Sequence, residues 1–318
     1  TRNSINGKLS YNWQTRDSRQ IFTFNLADLS YVRTPRIQKE FEDILVQLQE
    51  EGNNLIWSFL PSFVSSISGQ TIINFNKYGN FNTNKASLLK LFFESGGTSI
   101  NFFDTPSNDE PGIELANFQW LKTQIDFRRY YPVNKKETFA YRFNFGWAKP
   151  YGVSAGILPY EKYFFAGGGT SIRAWQARRL GPGSSVPQTG GGGEYDYTNE
   201  QPAEMILESM LEYRRNLFGY FDMALFIDAG NSWMIGVDPS RPGADFRWDR
   251  FYKEIAVGAG IGLRMDFDFL VIRLDLATKA VDPSKPEGER WVFDNVSFKN
   301  PFGRRGQTVF NFGIGYPF

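Results

Sequence analysis

Apolar and polar residues alternate along most of this chain with a period of two, the spacing of a β-strand whose side chains point to opposite faces. The C-terminus is the plainest instance: Phe310, Phe312, Ile314, Tyr316 and Phe318 fall on one face, and Asn311, Gly313, Gly315 and Pro317 on the other. Upstream, Ile255, Val257, Ala259, Ile261, Leu263, Met265 and Phe267 alternate with Glu254, Ala256, Gly258, Gly260, Gly262, Arg264 and Asp266. Small and charged side chains therefore share one face. Phe139, Tyr141, Phe143, Phe145 and Trp147 likewise oppose Thr138, Ala140, Arg142, Asn144 and Gly146. A row of aromatics in water would aggregate, so such a face belongs in lipid or in a buried sheet. The same pattern predicts strands near 5–15, 19–33, 54–75, 85–96, 114–131, 203–216, 219–233 and 269–280, eleven with the three above. Bacterial single-chain barrels close with an even number of strands, so an odd count points to a miscounted strand or an incomplete barrel.

The connections alternate in length. Short polar turns at Thr15–Ser18 and Asn134–Glu137 read as periplasmic, and long Gly/Pro-rich spans at 97–113, 148–202 and 281–306 as extracellular. One insertion changes period: Ile37, Phe41, Ile44, Leu45 and Leu48 recur at helical spacing between Arg36 and Glu51. This predicts a short amphipathic helix lying on the barrel rim, with partner docking as the alternative. The run Gly190–Gly193 reads as a flexible loop tip.

Composition sharpens the membrane reading. Aromatic residues make up 17% of the 318 residues, yet mean hydropathy is -0.39. That combination fits strands that average a lipid-facing apolar row with a lumenal polar one. No run approaches the ~20 apolar residues of a membrane helix. The net charge of +1, with signs interspersed, gives no case for nucleic acid. Neither Cys nor His occurs. Disulfides, thiolate catalysis, histidine general bases and nearly every transition-metal site are excluded, and the expectation is a protein without cofactor, metal or active site of its own. Thr1–Gly7 has neither a signal-peptide nor a lipoprotein pattern, so the numbering is expected to begin inside a longer precursor.

The least generic stretch is Phe165-Ala166-Gly167-Gly168-Gly169-Thr170-Ser171-Ile172-Arg173-Ala174-Trp175, followed by Leu180-Gly181-Pro182. An Arg in a Gly-flanked loop is either solvated at the surface or turned into a barrel, where it needs carboxylate partners. Two lie on inner parity in the following strands: Glu212, between outward Leu211 and Tyr213, and Asp228, opposite in parity to Met223, Leu225 and Ile227.

This segment resembles the signature loop of the BamA/TamA (surface antigen) family of outer-membrane assembly and secretion barrels: Phe-x-x-Gly-Gly, then Val/Ile-Arg-Gly-Phe/Tyr, then Gly-Pro. The resemblance implies a loop, here near 163–183, that folds into the lumen of a sixteen-stranded barrel. Its Arg173 would pair with Glu212 and with Asp228 of a Phe-x-Asp-x-Gly motif, and Gly167, Gly168, Ile172, Ala174, Trp175, Gly181 and Pro182 would shape it. Ala174 and Trp175 depart from the family's Gly and Phe/Tyr, so the backbone at 174 must avoid positive φ. The C-terminal strand, with Phe310, Phe312, Ile314, Gly315, Tyr316 and Phe318, resembles the terminal strand that outer-membrane proteins present to their assembly machinery. Five predicted strands follow the loop, as the family requires, but only six precede it where eleven are expected. The first strands and the periplasmic POTRA repeats are therefore expected to be absent from this chain.

The resemblance implies an outer-membrane factor of a Gram-negative bacterium whose barrel seam templates the strands of client proteins. Its partners would be outer-membrane lipid, client outer-membrane proteins and accessory assembly subunits. The alternatives are a secretion pore, a barrel tethered to an upstream enzyme domain, and a passive diffusion porin. Other constellations have plainer readings. Asp266 and Asp268 lie beside Arg264 and Arg273, which points to a lumenal salt-bridge network rather than a metal or acid/base pair. Gly167–Gly169 lacks the Lys-Ser/Thr of a phosphate loop, and Trp57, Trp147, Trp233 and Tyr316 fit an interface girdle.

Overall fold

The computed structural model of this chain describes residues 3–17, 19–33, 39, 46, 62–75, 86–97, 116–152, 157–186, 200–239, 241–267, 269–297 and 306–318. Among them the fold is all-β. The strands are β1 (Asn3–Gln14), β2 (Gln20–Arg33), β3 (Ser62–Asn74), β4 (Ala86–Gly96), β5 (Ala116–Asn117), β6 (Trp120–Asn134), β7 (Glu137–Pro150), β8 (Met205–Phe218), β9 (Phe221–Trp233), β10 (Ala256–Asp266), β11 (Val271–Val281) and β12 (Thr308–Ile314). Eleven are long and pair in the order β1-β2-β3-β4-β6-β7-β8-β9-β10-β11-β12, while the two-residue β5 runs parallel to β3. Strands that pair with their sequence neighbours make an antiparallel meander, the arrangement that transmembrane β-barrels use.

The eleven long strands correspond to the eleven expected from alternation. The fifth of these, β6, starts later than expected, at Trp120, because Ala116 and Asn117 pair with Ser62 and Phe63 instead. Residues 54–61, the run 190–193, Asp268, and the helix expected at 36–51 apart from Lys39 and Val46, lie outside the described residues.

The chain divides into two compact units. The first takes in residues 1–73, 90–125 and 146–163. In it β1 pairs with β2, and β2 with β3. The two ladders shift register beside each other, between Leu9 and Ser10 on β1 and between Asn25 and Asp28 on β2. A polar rung crosses there from exposed Ser10 to buried Asn25 and Ser68: Ser10 Oγ donates to Asn25 Oδ1 and Asn25 Nδ2 to Ser68 Oγ, both at 2.7 Å. Glu94 accepts from Ser66 Oγ at 2.7 Å and from Lys162 Nζ at 2.6 Å. Trp120 is fully buried and lies under the Lys162 ammonium at 5.4 Å. Gly96 gives the indole its room, since a Cβ there would stand 2.2 Å from the ring.

The second unit takes in residues 74–89, 126–145 and 164–318. On β8 to β12 the faces separate cleanly. Ile227, Ile261 and Phe312, at 52, 58 and 64% exposure, belong to an apolar outer row, whereas Glu208, Glu212, Asp228, Arg264 and Asp275 are buried on the other face. A wall of such apolar side chains is stable only against lipid.

The end of the chain departs from the expected single face of Phe310 to Phe318. The ladder with β11 runs from Thr308 to Ile314 and stops. Gly315 then takes φ +83°, a conformation glycine adopts at little cost, and turns the chain off the strand. Past it the Tyr316 hydroxyl donates to Asp266 at 3.0 Å, and Phe318 is buried with Ala86, Tyr130, Ala140 and Met210 of other strands' inner faces. Tyr316 and Phe318 thus leave the face that Phe310, Phe312 and Ile314 keep.

Because Gly96 meets a fully buried, bulky ring, Gly96→Ala is expected to lower the stability of the folded protein by about 1–3 kcal/mol through overpacking. A urea-unfolding midpoint in detergent or bilayer reads this, and a midpoint equal to that of the unaltered chain would contradict the packing described.

Candidate functional site

The Gly-rich segment between β7 and β8 is built from local turns. Gly167 and Gly168 have φ of +98° and +100°, and Gly181 of +87°, so these three supply backbone shapes that other residues rarely adopt. Their geometry folds Ser171 back onto the chain: Gly167 N donates to Ser171 Oγ at 2.9 Å, and Ser171 N to the Gly168 carbonyl at 3.0 Å. Gly168 N reaches the Trp175 carbonyl at 2.9 Å and closes the loop. Gly181 is joined to Pro182 by a cis peptide bond, and the adjoining Gly183 is fastened to β9 through Ser232 and Asn231.

At the tip of this loop Arg173 is completely buried. Its Nε and Nη2 form a fork on Asp228, both at 2.8 Å, and its backbone N–H adds a third bond to the same carboxylate at 3.1 Å. Nη1 donates to Glu212 Oε2 at 2.5 Å and lies 3.7 Å from Asp275 Oδ2. The Phe226 ring stacks beneath the guanidinium, 3.4 Å from its carbon, in a cation–π contact. Glu212 and Asp228 are themselves fully buried. Removing an ion from water costs several kcal/mol, and a fork with further donors is the arrangement that offsets it.

Two more arginines complete the charge pattern. Arg264 bridges Asp275 at 2.5 Å and Glu212 at 3.3 Å, and Arg214 donates Nε to Glu212 Oε1 at 2.7 Å. The loop's own carbonyls find donors on three walls. Arg142 of β7 reaches Thr170 O at 2.9 Å, Arg273 of β11 reaches Gly169 O at 2.7 Å, and Asn311 of β12 reaches Arg173 O at 2.9 Å. Buried carbonyls need such partners wherever no ladder supplies them. Ser171 Oγ also donates to Glu208, which holds Asn144 Nδ2 at 2.8 Å.

The structure brings Arg173, Glu212 and Asp228 together and buries Ile172, Ala174 and Trp175 around them. Arg178 is the non-glycine residue with positive φ among those described, so Ala174 keeps an ordinary backbone. Its methyl instead occupies the space over Gly258, where an added Cβ would lie 2.5 Å from it. Sequence reasoning missed Phe226, Asp275 and Asn311 as loop contacts. Inner parity was the signal for all three, and the alternate glycines of β10 were the signal for the space the loop fills. Trp175 lies under Lys279 at 5.1 Å, and Lys279 pairs with Asp282 at 3.2 Å. Burial works against the Asp282 charge, but Lys279 and two hydrogen bonds from Ser284 outweigh it and hold the carboxyl below its ordinary range.

An antiparallel β-meander with an apolar outer row, whose polar inner face holds a loop by a fully buried and ion-paired Arg173, is the class that the fold and site define. The Omp85 superfamily domain matches residues 73–318, and the chain belongs to that superfamily. Similar solved structures include BamA from Haemophilus ducreyi lacking POTRA domains 1-3, at 13% identity and a TM-score of 0.43, over 98% of this chain and 62% of that one. CdiB from Escherichia coli matches at 13% identity and a TM-score of 0.47, over 88% of this chain and 42% of the other. CdiB from Acinetobacter baumannii matches at 12% and 0.38, over 98% and 50%. The chain thus spans less than two thirds of each of these relatives.

Replacing Arg173 leaves buried Asp228 without its main partner and takes one of three arginines from Glu212. Arg173→Met is expected to destabilise the folded state by about 3–5 kcal/mol, and combining it with Asp228→Asn to recover part of that loss because one orphaned charge is removed. Unfolding midpoints of the two single variants and the double check this, and strictly additive losses would contradict the contact network.

Proposed function

We propose that this chain is the membrane-embedded part of a BamA/TamA-type factor that inserts client proteins into the outer membrane of a Gram-negative bacterium. The observation that carries the reading is the last strand. β12 holds a ladder of only seven residues to β11, beside the eleven of β11 itself, and surrenders its final residues to the interior at Gly315. Such a strand detaches at lower cost than a full-length one. Once its outer edge is exposed, its N–H and C=O groups template an incoming strand by β-augmentation. Gly313 contributes as well: with no side chain, it admits the Arg273 guanidinium, which a Cβ would approach to 2.6 Å.

The work in this reading is done by backbone pairing rather than by catalysis, so the chain needs no cofactor. Client proteins, outer-membrane lipid and accessory subunits are its proposed partners. The buried loop argues against a passive porin, because Ile172, Arg173, Ala174 and Trp175 fill space that a diffusion channel would leave to water.

The absence of native cysteine makes disulfide trapping clean. With Phe312→Cys in β12 and single cysteines walked along a client's terminal strand, cross-links are expected during assembly at alternate client positions, following the two-residue repeat. Depletion of the protein should leave clients unassembled. Unaffected client assembly with no cross-link at any position overturns the reading, as does a large steady conductance in a planar bilayer.

A further inference from the structure

The loop carrying Arg173 and the tail of β12 meet at one carboxylate. Glu212 gives its two oxygens to different arginines: Oε2 accepts from Arg173 at 2.5 Å and Oε1 from Arg214 at 2.7 Å. Arg214 then turns toward the tail. Its guanidinium carbon lies 4.3 Å from the centre of the Tyr316 ring, and its Nη2 lies 3.4 Å from the backbone oxygen of Phe318. A separate tether bypasses β8: Asn311, on the inner face of β12, donates to the Arg173 carbonyl at 2.9 Å.

We propose that Arg214 and Asn311 are positioning residues that make docking of the Gly-rich loop and inward seating of the last strand one coupled event. The inference rests on the reading of β12 as the strand that opens, and it names what holds that strand shut. Arg173 and Arg214 pull on opposite oxygens of Glu212, which fixes the carboxylate and lays Arg214 against Tyr316. When Arg173 withdraws, Glu212 Oε2 keeps only the longer 3.3 Å bond from Arg264, so the carboxylate is held less firmly and Arg214's seat loosens with it. Asn311 simultaneously loses its acceptor. Linkage makes the effect reciprocal: a loop that favours the seated tail is favoured by it to the same degree. An incoming strand that displaces the tail therefore loosens the loop without touching it.

Hydrogen exchange on the full chain in a bilayer reads both ends separately. Arg173→Met is expected to speed exchange across 310–318 by roughly tenfold, and Arg214→Met with Asn311→Ala to speed exchange across 167–175 by a similar factor, as for local opening. Neither substitution lies in the region it is expected to loosen. Arg214→Lys, which keeps the cation and is mild enough to leave the sheet intact if the harsher pair does not, is expected to retain most of the protection at both ends. Faster exchange confined to the substituted side, or Arg214→Lys behaving as the Arg214→Met and Asn311→Ala pair, overturns the coupling. Client assembly is followed in the same variants. Coupled exchange with normal assembly upholds the coupling and overturns the functional reading, whereas uncoupled exchange overturns the coupling whatever assembly does.

Discussion

A guanidinium without water requires anions, and the interior of the second unit is arranged around that requirement. Arg173 has no exposed surface, and its donors are directed to Asp228 and Glu212, with Asp275 a little farther off. The carboxylates are equally buried, so none of these groups is stable alone. Arg264 and Arg214 balance the excess negative charge. Phe226 supplies an aromatic face, and β10 supplies glycines at 258 and 260 so that the loop methyl and the Phe226 ring have room. Charge, aromatic and glycine positions thus have one common cause.

Much of this was legible because strand parity is rigid. Glu212 and Asp228 could be placed on the inner face from their apolar neighbours alone, and the eleven long strands followed from alternation. Parity says which face a residue takes but not how far along the strand it meets a loop, so Asp275 and Asn311 were not assigned to Arg173. The backbone of the loop was legible only at 174, where an Ala in place of the family's Gly keeps an ordinary φ; the positive φ of Gly167, Gly168 and Gly181 is seen only in the structure. The end of β12 was misread. Alternation continues through Tyr316 and Phe318, but a single positive-φ glycine overrides it, and a hydrophobic pattern cannot register a backbone turn.

The two units place their polar groups differently. In the first, hydroxyls and an amide join neighbouring strands in short rungs, and Lys162, outside the strands, pairs with Glu94 of β4. In the second, charges converge on a loop held from several strands at once, including the last. The last strand is tied on its inner face to that loop through Asn311, and its ladder to β11 is seven residues long. The family membership and this placement of contacts lead to the proposed role in assembling other membrane strands.

The central claim is that Arg173 is ion-paired in the barrel interior, and magnetic resonance on the protein in lipid tests it most directly. Dipolar recoupling between isotope-labelled arginine guanidinium nitrogens and aspartate carboxyl carbons, assigned by loss of signal in Arg173→Lys, measures the contact with Asp228. The account predicts a rigid guanidinium with a strong coupling that fits the two 2.8 Å bonds of the fork. A mobile Arg173 side chain exchanging freely with water, with no coupling to Asp228, would contradict it.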